Sequence, residues 1–453
     1  MASCVVASCS RLRSFQAASM RECVSVMVAQ CRGKTAACCV RPRESSTFGL
    51  VHPSSRPAPV VLLASVLKPV DDTRMYEKFG RTLAEAGYAV HIAGRASKVG
   101  APPAVIGLHP IFSGYRLSLG RLAAQWRYWQ RLQQLQPDLV IAHAPELLPA
   151  TLLWRWFEPK RAFVYDVREN YALNIRTQQV YRGWLKRLLA NGVAAIEKAA
   201  MRRAAAVLLA ERSYAEELGY LPRQHTLVLE NKYVAPPNAS LPAAARFPIS
   251  LPPREQPLRL LFSGTLSTLT GVFDAIRFAD QLRTVWPRLQ LTIIGYCQQP
   301  AELQRLQQLA SANHSWLTLI GGAEPVPHAA IVAAIGQHHL GLLPYQPHPS
   351  TWRCIPTKLY EYMANALPVL IPPNQLWATE IRRLSAGCVV LFDALLNADE
   401  LEQLACALIN EKYYPAGPAA DALWQSEAPR LLAAVAAALP PPRAATSHLG
   451  AAL

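Results

Sequence analysis

From Val60 the chain alternates short apolar runs with amphipathic stretches, breaks once at a proline-rich segment, and then alternates again. Apolar runs of four to six residues bounded by turn formers predict buried strands. The longer stretches between them predict helices. The first half offers VVLLAS (60–65), AVHIAG (89–94), LVIAHA (139–144), AFVYDV (162–167), AVLLA (206–210) and TLVLE (226–230) as strands, with helices at 72–86, 116–135 and 181–203. The second half offers LRLLF, LTIIG, WLTLI, HLGLLP, PVLIP and CVVLF. Strictly alternating β and α elements fold as a parallel sheet with helices on both faces. The interruption, residues 235–257, holds seven prolines and no periodic apolar face, as an interdomain linker does. Two doubly wound α/β domains are therefore expected, at 60–234 and 258–410. Ligands of such sheets bind outside the carboxyl ends of the strands. An alanine-rich helix within 411–439 is expected to cross back onto the first domain, followed by a disordered tail at 440–453.

Six of the ten cysteines fall in the first 39 residues, in a segment with no helix or strand period. Their spacings match no zinc pattern. CVSVMVAQC is too short, and starts too late, for a secretory core. Residues 1–59 are expected to be a dispensable leader or the product of a mis-assigned start, with a targeting peptide as the alternative. The other four cysteines are widely separated, as in a reduced, cytosolic pair of domains. No apolar run approaches the roughly 20 residues that span a bilayer.

The net charge of +16 is concentrated. Residues 1–59 carry eight Lys/Arg against two acids, and residues 116–203 carry fifteen against six. The second segment interleaves that charge with Trp126, Tyr128, Trp129, Trp154, Trp156, Phe157, Tyr181 and Trp184. A helical, aromatic and basic stretch fits the surface of an anionic membrane. Buried aromatics beneath a solvated arginine face are the alternative. No nucleic-acid-binding signature accompanies the charge.

RCIPTKLYEYMANALPVLIPP (353–373) carries the most specific chemistry. Pro356–Thr357 opens a helix, since proline at the start is pre-set in φ and gives up an N–H that has no partner there. The amides of Thr357, Lys358 and Leu359 and the helix dipole favour an anion. Lys358 and Glu361, three apart, share a face. One can meet a phosphate while the other accepts hydrogen bonds from a ribose diol. A capped surface helix with a simple ion pair would show the same residues.

This segment resembles the PTKxxEYM-like helix of GT-B glycosyltransferases, in particular glycosyltransferase family four. LRLLFSGTLSTLTGVFDAIRFADQL (258–282), LQLTIIGYC (289–297) and KPVDDTRMYEKFGRTLAEAGYAVHIAG (68–94) resemble further stretches of that family in order and spacing. The resemblance spans roughly Val60 to Leu439. It implies two Rossmann-like domains facing a central cleft, with the acceptor on the first and a nucleotide diphosphate-sugar on the second. It also implies a retaining, metal-independent hexosyl transfer without a cofactor. Ser263, Gly264 and Thr265 would form the donor loop, Gly264 permitting close backbone approach; an ordinary βα turn is the alternative. Arg353, Thr357, Lys358, Leu359 and Glu361 would complete the donor site. Two departures stand out. Thr270 precedes Gly271 where relatives often place a base, and Arg353 stands where many have the first Glu of Glu-x7-Glu. Lys358 is then the first choice for the diphosphate and Arg353 the second.

In the first domain, Asp72 reads as an N-cap, and Arg74 as a residue for an anionic ligand. The lack of G-x-G-x-x-G after the first strand argues against a nicotinamide or flavin. His143 ends the third predicted strand at the rim of the cleft, in a catalytic or a structural role. Asp166, Arg168 and Glu169 end the next, and Glu230-Asn231-Lys232 the last. The expected activity is transfer of a sugar to a glycan or lipid-linked acceptor in polysaccharide biosynthesis. The expected setting is cytoplasmic, peripheral at the inner face of the plasma membrane, with Lys358, Glu361, His143 and Arg74 as the catalytic set. A nucleotide-sugar epimerase and a silent binding subunit are the alternatives.

Overall fold

Two parallel sheets organise the chain, each ordered outward from its first strand in both directions. The computed structural model describes residues 58–97, 105–115, 118–177, 183–236 and 247–439. The expectations for the leader and the tail, and for residues 237–246 of the linker, lie outside those residues. In the first half the strands are β1 (Val60–Pro69), β2 (Ala89–Arg95), β3 (Gly107–Phe112), β4 (Leu139–Ala142), β5 (Ala162–Val167), β6 (Ala206–Leu209) and β7 (Thr226–Val228), in the order β3-β2-β1-β4-β5-β6-β7. The second half has β8 (Arg259–Thr265), β9 (Gln290–Tyr296), β10 (Leu317–Gly322), β11 (Leu340–Leu342), β12 (Val369–Ile371) and β13 (Gly387–Val389), in the order β10-β9-β8-β11-β12-β13. The order reverses beside β1 and beside β8, and those reversals open a crevice at the strands' carboxyl ends.

Alternation along the central strands explains the layering. On β1, Leu62, Ala64 and Val66 face one core, while Val61 and Leu63 face the other. On β5, Phe163, Tyr165 and Val167 join the first and Val164 the second. Successive side chains on a strand point to opposite faces, so both faces need cover. One cover is made by the helices Gly120–Leu135, Leu148–Phe157 and Gly183–Met201, which contribute Tyr128, Leu132, Trp154 and Met201. The other is made by a π-helical stretch, Thr73–Gly80, which runs into the helix Arg81–Glu85, and by the terminal helix Ala428–Ala438.

That terminal helix lies on the first sheet although it follows the second in sequence. Leu431, Val435 and Trp424 are buried among Val61, Leu63 and Phe79. Trp424 donates its indole N–H to Thr82 Oγ1 at 2.9 Å and stacks on Phe79, with ring centroids 5.5 Å apart. The helix begins at Ala428, after short 3-10 turns at Ala420–Ala422 and Trp424–Ser426. Both sheets belong to one compact unit.

One strand needs a correction. β3 is absent from the strands expected above, because GLHPIF carries Pro110 and lacks a continuous apolar run. β3 is an edge strand, paired only with β2, and a proline costs no ladder bond on an open edge. None of the four described cysteines, Cys297, Cys354, Cys388 and Cys406, forms a disulfide. No described helix is long and apolar enough to cross a membrane.

Candidate functional site

The helix Thr357–Ala364 begins at the mouth of the crevice, with Pro356 at its N-cap and no side chain capping it. Its inner face, including Leu359, Tyr360, Tyr362 and Met363, is buried in the core of the second sheet and fixes its direction. Thr357 is exposed at the open end and Lys358 half-buried. The expectation that Leu359 offers its amide to an anion is corrected: that N–H is donated to the Pro356 carbonyl at 2.9 Å, within the first turn.

Lys358 Nζ is paired with Glu361 Oε2, and Glu361 Oε1 meets His328 Nε2 at 2.6 Å. Burial pushes the Glu361 carboxyl up, but the His328 bond and the Lys358 charge outweigh it and hold the group below its ordinary value. Glu361 is therefore an anion at neutral pH, and His328 Nε2 donates. His328 opens the helix His328–Gln337, and its ring meets Tyr233 edge-on at 6.0 Å.

Gly264, one residue before the end of β8, lies beside this group with φ of +118°, in a region that favours glycine. A β-carbon there would stand 3.2 Å from Lys358 Cε, so glycine at 264 makes room for the lysine stem. The Ser263 hydroxyl is buried against the Tyr362 hydroxyl at 2.9 Å, an interior contact. Thr265 is exposed, and its carbonyl accepts from Thr270 Oγ1 at 2.8 Å. Thr270 Oγ1 also accepts from the Ser267 amide, so this residue closes the loop. Gly271, with φ of +77°, passes so close to Pro344 that any side chain would collide with its carbonyl.

Across the crevice, Arg74 corrects a second expectation. It does not face an anionic ligand: the side chain is buried, with Nε and Nη2 on the Asp166 carboxylate at 2.8 and 2.7 Å and Nη1 on the Leu229 carbonyl at 3.0 Å. His143 Nδ1 lies 2.7 Å from the same carboxylate. Burial favours neutral Asp166, but the Arg74 guanidinium and the His143 bond hold it well below the usual carboxylate range. Burial pushes His143 down against the pull of Asp166. The imidazole is thus neutral with its proton on Nδ1, and among the described residues nothing bonds its buried Nε2. Asp72 caps Thr73–Gly80 through the amides of Arg74 and Met75 and takes both arms of Arg168, at 2.7 and 3.0 Å. Glu169 pairs with Lys68 at 3.2 Å.

The halves meet around the 353–361 segment. Arg353 pairs with Glu216 and lies 3.9 Å from Glu217, so its charge is engaged by the first half. The Ile355 amide donates to Glu211 at 3.1 Å, and the Tyr360 hydroxyl donates to Glu230 at 2.8 Å. Burial pushes the Glu211 carboxyl up to about 8. Lys78 is buried with its amine on Asn231, and burial lowers it to about 7.

His328 and Glu211 join the site without a signal in the sequence. His328 lies 33 residues before Glu361 with no motif linking the two, although it follows the end of β10 and so stands on the same rim. Among the described residues, no group of three or more His, Cys, Asp or Glu side chains is placed to hold a metal ion.

Residues 74–232 match the model of the glycosyl transferase 4-like domain. Sucrose-phosphate synthase from Thermosynechococcus elongatus superposes with a TM-score of 0.56 at 15% identity, covering 84% of this chain and 96% of its own. WaaG, a glycosyltransferase involved in lipopolysaccharide biosynthesis, gives 0.54 at 16% identity, covering 82% and 94%. HepE of Anabaena, solved in complex with UDP and glucose, gives 0.53 at 14% identity, covering 83% and 99%. Among curated proteins, none matches the chain. The fold is the two-domain α/β arrangement of these GT-B neighbours. Within that fold, the stretch from 74 to 232 is similar to the glycosyl transferase 4-like domain.

Proposed function

We propose that the protein transfers a sugar from a nucleotide diphosphate-sugar, bound at the Lys358–Glu361 helix, to a glycan or lipid-linked acceptor held against the first half. One observation carries the reading. An uncapped helix start, a lysine and an ionised carboxylate stand together at the strand ends beside β8, where the sheet order reverses. Lys358 and the amide end of the helix would stabilise the departing diphosphate as its charge develops, which is where an enzyme gains most. Glu361 would accept hydrogen bonds from the ribose diol. Closure of the halves would exclude water that otherwise hydrolyses the donor. On the first half, the fully buried His143 holds Asp166 through Nδ1 and serves the fold, not the acceptor. The proposal includes hexosyl transfer with retention of configuration, and chemistry without a bound metal, on the resemblance to family four.

The acceptor side adds a second element. The helices 120–135, 148–157 and 183–201 cover one face of the first sheet and expose Leu122, Trp126, Trp156, Phe157, Trp184 and Leu188. Arg155 and Arg203 border an apolar groove of Pro149, Leu152, Leu153 and Trp156. Exposed aromatics among basic residues suit the headgroup region of an anionic leaflet. We therefore place the protein at the cytoplasmic membrane face, where a lipid-linked acceptor would present its glycan. The decisive experiment incubates the protein with UDP-, GDP- and ADP-sugars with and without lipid-linked glycan. Transfer is the expected outcome. Interconversion of the donor alone would indicate an epimerase, and binding without turnover a silent subunit.

A further inference from the structure

Both oxygens of Glu361 are already in use, Oε2 by Lys358 and Oε1 by His328. A ribose diol reaching this carboxylate must share or replace one of those partners. Lys358 is the partner that can leave: its stem lies along the open Gly264 loop, and a diphosphate at the helix start would draw its ammonium away. His328 cannot follow. Its ring is carried on the first residue of the helix His328–Gln337, packs edge-on against Tyr233 at 6.0 Å, and meets Oε1 at 2.6 Å, away from the helix start where the diphosphate would bind.

We infer that His328 is a positioning residue, holding Glu361 by Oε1 so that Oε2 is presented to the ribose when Lys358 turns to the diphosphate. This rests on the donor-site reading above. A neighbouring carboxylate gains directionality from a fixed donor, because the remaining lone pairs are then aimed rather than free to rotate with the side chain. The two partners of Glu361 divide the work. One leaves with the ligand's charge, and the other holds the acceptor atom in place.

The test measures binding of UDP, GDP and ADP to the full chain by calorimetry, with melting temperature recorded for each variant. In His328→Ala, affinity for the nucleotide the wild type accepts should fall about tenfold, since a charge-assisted hydrogen bond no longer orients Glu361. His328→Gln sets an amide NH2 near the position of Nε2 and should restore most of the loss, which a merely structural role would not produce. Glu361→Ala separates the inference from its foundation. If Glu361→Ala loses affinity while His328→Ala binds like wild type, the positioning role is overturned and the donor site stands. Failure of Gln to rescue, at unchanged melting temperature, overturns it as well. If Glu361→Ala also binds like wild type, or the wild type binds none of the three, the donor-site reading falls and takes this inference with it.

Discussion

Two groups of like composition face each other across the crevice: Arg74–Asp166–His143 in the first half and Lys358–Glu361–His328 in the second. Each is a carboxylate held between a cation and an imidazole near the carboxyl ends of a parallel sheet. They differ in exposure. The side chains of Arg74, Asp166 and His143 are 1%, 0% and 0% exposed; those of Lys358, Glu361 and His328 are 16%, 4% and 39%. In the first group the guanidinium lies over Phe79, which stacks in turn on Trp424 from the crossing C-terminal segment. Neither Arg74 nor Asp166 can leave without stranding a charge. In the second, the group reaches solvent, and Lys358 can exchange Glu361 for a ligand at low cost while His328 keeps its bond. Burial thus makes one arrangement a structural fastening and leaves the other able to meet a ligand.

The largest effect should come from Asp166→Ala. It leaves Arg74 buried without its counter-ion, a loss of about 3–5 kcal/mol. Chemical denaturation would show it as a lower midpoint, and a stability within about 1 kcal/mol of wild type would break the contrast between the two groups. Glu361→Ala should instead spare stability, because Lys358 and His328 both reach water. It should weaken nucleotide binding by roughly tenfold to over a hundredfold, the equivalent of about 1.5–3 kcal/mol. Lys358→Ala should lower kcat more than affinity, because its charge matters most as the diphosphate leaves. Wild-type kinetics in both variants would remove the ligand role from the second group.

The contact between the halves sharpens the comparison through pH. Folded, Glu211 keeps its proton up to about pH 8; unfolded, it loses it near pH 4.3. Between those values the folded state binds more protons, so this residue makes stability fall as pH rises, by at most about 1.4 kcal/mol per pH unit. Glu211→Gln keeps an acceptor for the Ile355 amide and removes the titration. Its denaturation midpoint should match that of wild type near pH 4 and exceed it at pH 8; parallel pH profiles would refute the assignment. The smallest effect concerns the exterior of the first half. Replacing Lys186 and Arg187 with Ser should reduce co-sedimentation with anionic vesicles by about 1 kcal/mol per residue, most visibly at low salt. Equal binding of wild type to neutral and anionic vesicles would count against a membrane face.

The strand-helix alternation and the 353–373 segment were legible because their information is local. Apolar runs declare strands, and Pro356 declares a helix start wherever the chain goes next. Lys358 and Glu361 meet because a helix brings positions three apart together, which needs no tertiary contact. β3 was hidden by Pro110, whose tolerance depends on an open sheet edge that only the assembled sheet defines. Arg74 looked available because nothing near it in sequence opposes its charge. Its partner, Asp166, is 92 residues away and joins it only when β5 lies in the sheet beside Thr73–Gly80.

The amino-acid order by itself determined two α/β halves, the break between them, and a helix start bearing Lys358 and Glu361, since each follows from periodicity or spacing within a few residues. Tertiary structure alone decided which charged groups would be free. It enclosed Arg74, Asp166 and His143 beneath Phe79 and Trp424, brought His328 onto Glu361, and set Glu211 against the Ile355 amide. The physical reason is that the cost of a charge depends on its solvent and its partners, and both are supplied by chain segments remote in sequence.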